Sequence, residues 1–144
     1  MTTAPAEVRL SRICAQTLDP AEVEAAVTNP SAGGVVVFIG KVRDHDGGQP
    51  VSALEYSAHP NADRFLYDVC AEVATSTGLP VAAVHRIGDL TIGDLAIVVA
   101  VAAAHRAEAF AACSGLVDQI KHRVPIWKRQ HFATGRSEWV NSCE

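Results

Sequence analysis

The longest uninterrupted apolar run, Leu95 to Ala104, is ten residues, half of the ~20 that a helix needs to cross a bilayer. It predicts a strand over Leu95–Ala103 and no membrane span. A second run, Val35-Val36-Val37-Phe38-Ile39, follows Gly33-Gly34 and has no polar break. A strand with one wet face alternates apolar and polar side chains, so this run predicts a buried central strand. Met1 to Glu7 hold no basic segment followed by an apolar stretch, which predicts no secretion signal and a cytoplasmic location.

The rest of the chain divides at clear punctuation. Val8, Leu10 and Ile13 predict a first strand. Asp19-Pro20-Ala21-Glu22 predicts a helix start, with Asp19 as the cap, Pro20 in the first position and Glu22 closing a capping box. That helix ends near Asn29-Pro30. Gly40 to Gly48 reads as a polar loop, and Val51 to Ser57 as a strand able to form a hairpin with the one before it. Phe65, Leu66, Val69 and Val73 predict a helix over 61–77, stopped by Gly78-Leu79-Pro80. Val81 to Ile87 is a further strand. Gly88 to Asp94, with two Gly-Asp dipeptides, reads as the turn that joins it to Leu95–Ala103. Phe110, Cys113, Val117, Ile120 and Val124 form the apolar stripe of a long helix that begins near His105 and ends at Pro125. Ile126-Trp127-Lys128 opens a last extended segment, and Trp139-Val140 a short strand. The pattern predicts an α+β domain over residues 1–144, with helices packed on a mixed or antiparallel sheet.

The chain carries 12 Lys and Arg against 16 Asp and Glu, a net charge of −4. Five basic side chains (Lys121, Arg123, Lys128, Arg129, Arg136) face Asp118 alone between Gly115 and Arg136, a local +4 that leaves −8 for the remainder. An acidic protein with one basic segment predicts a localised anion site. The acidic total and an aromatic content of 6% argue against an RNA-binding role. Cys14, Cys70, Cys113 and Cys143 are 56, 43 and 30 residues apart, which predicts reduced thiols rather than a disulfide framework or zinc site. Cys143, near the C-terminus, is expected at the surface. His45, His59, His85, His105, His122 and His131 show no ligand spacing, so no metal is expected. No glycine-rich phosphate loop, dinucleotide fingerprint or serine-nucleophile motif is present, and no cofactor is expected.

Lys121 follows the stripe residue Ile120 and so sits at the border of the buried face. A lysine there either snorkels to water or loses solvation and serves acid–base or anion chemistry. Lys128 lies three residues beyond Pro125. Arg43, in the loop after the predicted central strand, has the fork geometry for phosphate or carboxylate. His105 and Arg106 open the long helix, where free backbone N–H groups favour an anion. Arg106 and Lys121 are 15 residues apart, or ~22 Å along a helix axis. One chain does not bring both to one small ligand. Either two anion sites exist, or one composite site forms where two copies meet, and a two-fold dimer is the expected solution.

Five blocks carry a resemblance. They are Gly34 to Arg43, Leu54-Glu55-Tyr56, His85 to Leu90 with Gly93-Asp94, Ala104-His105-Arg106 with Ala109-Phe110, and Asp118-x-x-Lys121 with Val124 to Arg129. In this order, from about 32 to 140, they resemble the large, catalytic subunits of molybdopterin synthase. The resemblance implies an α/β-hammerhead-like fold and a sulfurtransferase of molybdenum cofactor biosynthesis without a metal in its site. It implies transfer of sulfur from the thiocarboxylated C-terminal Gly-Gly of a small ubiquitin-like subunit to cyclic pyranopterin monophosphate, making molybdopterin. It further implies a homodimer of catalytic subunits inside a heterotetramer. By position, Lys121 and Lys128 match the catalytic lysines, and Lys41, Val42 and Arg43 the substrate-binding loop. His105 and Arg106 match residues reaching the neighbouring subunit's pocket. Phe38 and Pro125 match the tail channel or pocket wall, and Arg129 and Gln130 substrate-binding positions. Gln130 stands where the family often has Glu and can hydrogen-bond but not act as a base. Ser57 also stands where the family tends to have Glu. A non-catalytic module that only binds a ubiquitin-like tail is the alternative, and it would have no need of Lys121 and Lys128.

Overall fold

In the computed structural model, which describes residues 7–141, the Val/Ala-rich runs form the centre of a four-stranded sheet. Strands β5 (Val81–Arg86) and β7 (Leu95–Ala103) pair antiparallel at its middle, β1 (Val8–Cys14) runs parallel to β5, and β2 (Gly34–Lys41) pairs antiparallel with β7. Alternate residues serve two cores. Val81, Ala83, Ile97, Val99 and Val101 pack under helices α2 (Ala62–Thr77) and α3 (Arg106–Arg123). Ala82, Val84, Val98, Ala100 and Ala102 pack under α1 (Pro20–Val27) on the other face. Both faces are covered, which removes any need for polar alternation.

The run Val35–Ile39 does not lie at the centre. The strand order is β1-β5-β7-β2, so β2 is an edge, and Val35, Phe38 and Ile39 are 37%, 36% and 39% exposed. Val36 and Val37 pack on opposite faces, against the two cores. Continuity here reflects helices on both faces together with a bare apolar edge. Nor does β2 form a hairpin with the following strand: its one partner among the described residues is β7.

Strand β4 (Gln49–Ala58) instead centres a second, antiparallel sheet. It pairs with β3 (His45–Asp46), β6 (Gly88–Thr91) and β8 (Ile126–Phe132), and β8 pairs with β9 (Ser137–Asn141). The Gly88–Asp94 segment is therefore more than a turn. Its first half is β6, and the bend comes afterwards, where the Asp94 carboxylate accepts from the Thr91 N–H at 2.9 Å and Gly93 takes φ 88°. One face of this sheet buries Val42, Val51, Leu54, Leu90, Ala96 and Phe132. The fold is the expected α+β type, with one mixed and one antiparallel sheet.

The helices follow their caps. Asp19 accepts from the Ala21 N–H at 3.0 Å and Pro20 occupies the first turn of α1. Glu22 does not close a capping box; its carboxylate meets Arg12 of β1 at 2.6 Å. In α2 the buried residues are Ala62, Leu66, Val69, Cys70 and Ala74, leaving Phe65 44% exposed, and Gly78 ends the helix at φ 72°. In α3 they are Ala109, Ala112, Cys113, Leu116, Val117 and Ile120, so Phe110 falls off the stripe and is 61% exposed. Alanines at the contact let α3 lie close to the sheet. Cys14, Cys70 and Cys113 are free thiols, and Cys143 lies outside the described residues.

Candidate active site

At the end of β2 the register with β7 slips between Gly40 and Lys41. A Cβ on Gly40 would stand 2.6 Å from Ile97 Cγ2, so the backbone approaches β7 as only glycine allows. A slip of this kind re-aims the residues that follow. Lys41 and Arg43 line a hollow of about 370 Å³ where the two sheets and the C-terminal end of α3 meet.

Each neighbouring element contributes to it. The last turn of α3 supplies Ile120 and the half-buried Lys121, and β5 supplies His85. Tyr56 of β4 and Lys128 of β8 are direct cross-strand partners, as are Leu54 and Gln130. Side chains two apart share a face, so all four point into the hollow, and each of them lines it.

Four cationic side chains, Lys41, Arg43, Lys121 and Lys128, line the hollow with no Asp or Glu among its lining residues. Carboxylates enter at the rim. Arg43 Nη2 lies 3.2 Å from Asp46, and His45 Nδ1 lies 2.8 Å from Asp44, whose carboxyl it pushes down. Deeper in, the groups are neutral. Burial pushes the Tyr56 phenol up. Burial, reinforced by the Lys121 charge and opposed by a bond to the Arg86 carbonyl, pushes His85 down to about 4. Gln130 is 3% exposed, and its Oε1 has no hydrogen-bond partner among the described residues. A buried, unpartnered carbonyl in a pocket wall is an acceptor available to a ligand N–H.

Of the sequence candidates, Lys41, Arg43, Lys121, Lys128 and Gln130 come together here. Within one chain the others lie elsewhere. Val42 is buried in the second sheet's core, its N–H bonded to the Asp94 carbonyl at 3.0 Å. Pro125 is half-buried, and its carbonyl accepts from the His59 N–H at 3.0 Å. Arg129 faces the opposite side of β8, where it reaches Ser137 Oγ at 3.2 Å and stacks over Trp139. Ser57, across from Trp127, is on that outer face too. Phe38 lines a separate, apolar groove of about 360 Å³ between β2 and α3, with Phe110, Cys113 and Val117. Burial pushes the Cys113 thiol up to about 11, which keeps it protonated and unreactive. His105 and Arg106 are exposed at the far end of α3.

Chain-order reading missed Tyr56 and His85 as pocket residues. The available signal was a histidine closing an apolar strand and an aromatic in register with Lys128, and only the pairing of β4 with β8 converts that into a site.

The hollow thus gathers two lysines of α3 and β8 with Lys41 and Arg43 at a seam where burial holds a histidine neutral. The MoaE protein family model matches residues 13–123, which include Lys121 and stop short of Lys128. Molybdopterin synthase catalytic subunit 1 of Mycobacterium tuberculosis is 44% identical over 133 residues, 90% of this chain and 88% of that protein. The crystal structure of molybdopterin synthase from Staphylococcus aureus superposes with a TM-score of 0.83 at 35% identity, over 89% of this chain and 94% of that one. The complex of subunits 1 and 2 of the molybdopterin-converting factor from Helicobacter pylori shares the fold, with a TM-score of 0.71 at 20% identity over 90% and 88% of the two chains. The chain belongs to the MoaE family, and it is an enzyme of molybdenum cofactor biosynthesis. No helix among the described residues is long and apolar enough to cross a membrane.

Proposed function

We propose that the basic hollow is where sulfur passes from the thiocarboxylated C-terminus of a small ubiquitin-like subunit to cyclic pyranopterin monophosphate, all within one catalytic domain in the cytosol. The observation that carries this reading is four cations around a carboxylate-free cavity. The substrate phosphate, the thiocarboxylate and the departing carboxylate are all anions, and cations in a shielded pocket stabilise each of them. Once the sulfur is bonded to the pterin, the partner's last residue is held as a thioester. Water adds to its carbonyl, Lys121 holds the oxyanion, the acyl C–S bond breaks, and the partner leaves as a carboxylate. Lys128 assists, and Arg43 at the rim takes the phosphate. The unpartnered Gln130 carbonyl suits an N–H of the pterin or of the inserted peptide. The free thiols fit a reducing compartment.

The two ends of α3 fit a composite site. Gly34 lies against the start of this helix, its added Cβ 3.1 Å from Arg106 Cα, while Gly40 and Lys41, at the other end of β2, line the hollow. The eight residues of β2 span ~25 Å, close to the ~22 Å between Arg106 and Lys121 along α3. Antiparallel pairing of two β2 edges about a two-fold axis sets Gly34 of one copy near Lys41 of the other. Arg106 of each copy then stands beside its neighbour's hollow, and the exposed Val35 and Ile39 are covered.

The test is the purified chain with thiocarboxylated small subunit and pterin substrate. Lys121→Ala is expected to lower turnover ~100-fold or more with an unchanged circular-dichroism spectrum and melting temperature. Near-normal product formation would refute the assignment.

A further inference from the structure

His85 lines the hollow yet is only 6% exposed. Its Nδ1 lies 2.8 Å from the Arg86 carbonyl oxygen. A carbonyl only accepts, so Nδ1 carries the proton and Nε2 is left as a bare lone pair. Tyr56 fixes the ring plane edge-on, with centroids 5.0 Å apart at 78°. The register sets apolar residues beside it, Ile13 of β1 and Ile97 of β7. From α3 it meets the charge of Lys121.

A lysine ammonium has three protons to place, and in a pocket emptied of water each one left without an acceptor is costly. Substrate anions take some of them. The lining offers no carboxylate; its side-chain acceptors are Tyr56, His85 and Gln130, with His45 at the rim. We propose that His85 is a positioning residue for Lys121: in the loaded pocket Nε2 accepts one ammonium N–H, which aims another at the reacting oxyanion. The inference rests on the sulfur-transfer reading of this hollow and deepens it. A neutral acceptor does what a carboxylate here could not, orienting the ammonium without cancelling the charge that the oxyanion needs. Burial keeps the ring neutral at pH 7, which maintains that arrangement.

The experiment uses the full chain with thiocarboxylated small subunit and pterin substrate. His85→Asn keeps a donor near Nδ1 and removes Nε2; His85→Gln reaches the Nε2 position with an amide that can accept. His85→Asn is expected to lower kcat by roughly 10- to 100-fold with KM within about twofold, and His85→Gln to recover most of that loss. Wild-type kcat in His85→Asn overturns the proposal, as does an equal loss in both variants. Lys121→Ala, run alongside, separates the two readings. Silent His85 variants with an inactive Lys121→Ala sink the positioning role alone, whereas an active Lys121→Ala sinks the pocket assignment. Should His85→Asn not fold, the wild-type protein with ¹⁵N-labelled histidine decides. The Nε2 resonance is expected to move to that of a hydrogen-bonded acceptor when the phosphorylated pterin binds, and an unmoved resonance overturns the proposal.

Discussion

The two sheets of this protein bury their side chains to opposite ends. In the four-stranded sheet, Ala and Val alternate between two apolar cores, and helices close both faces. The five-stranded sheet has one small apolar core of its own, and where that core gives out it carries Tyr56, Lys128 and Gln130 into the hollow. The first region is apolar through its centre, and its buried side-chain polar atoms without a hydrogen-bond partner among the described residues are Ser11 Oγ on β1 and Arg86 Nε at the end of β5. The second holds a buried carbonyl with no partner and faces a neutral histidine beside a lysine. The Gln130 carbonyl, unlike those two atoms, belongs to a residue that lines the hollow, where a ligand can satisfy it.

That contrast can be broken by substitution. The largest effect is expected under the helices. Leu116 is fully buried in α3, and Leu116→Ala should lower unfolding free energy by about 2–5 kcal/mol in a denaturant titration, with turnover per folded molecule preserved. A smaller stability loss coupled to activity there would blur the division. Next comes pH. The unfolded His85 imidazole takes up its proton near 6.5, and the folded one only near about 4. Between these values the unfolded chain binds more protons, so stability falls as pH drops through that window and levels off below it. His85→Gln should flatten this slope in melting curves taken across it. The smallest stability effect belongs to Gln130. Replacing a buried side chain whose carbonyl has no partner by an apolar group of similar shape is close to neutral or stabilising. Gln130→Met should therefore keep or raise the melting temperature while turnover falls roughly tenfold. A destabilised, fully active variant would show that the amide serves the fold.

The same contrast explains how much the sequence reveals. The apolar runs at Val81 to Val84 and Leu95 to Ala103 announce their strands because both faces are dry, and Asp19-Pro20 and Gly78 announce helix ends through cap chemistry. Periodicity does not reveal an edge, so Val35 to Ile39 reads as central although one side is bare. The strand β6 hides among turn residues because its backbone, rather than its side chains, makes the pairing with β4. Similarly, Phe65 and Phe110 fit a helical stripe by spacing, yet the alanines beside them take the buried positions. Lys121 was legible as a border residue. His85 and Tyr56 beside it were not, since they reach it through strand pairings between β4, β5 and their distant partners.

The central claim is that cations from two copies serve one hollow, and complementation between inactive variants tests it most directly. Lys121→Ala and Arg106→Ala chains, unfolded together and refolded as an equal mixture, form mixed dimers in which one of the two sites is intact. Since about half of randomly paired dimers are mixed, the account predicts recovery to about a quarter of wild-type turnover, from two preparations that are each nearly inactive. A mixture no more active than its components, with mixed dimers verified by mass, would contradict it.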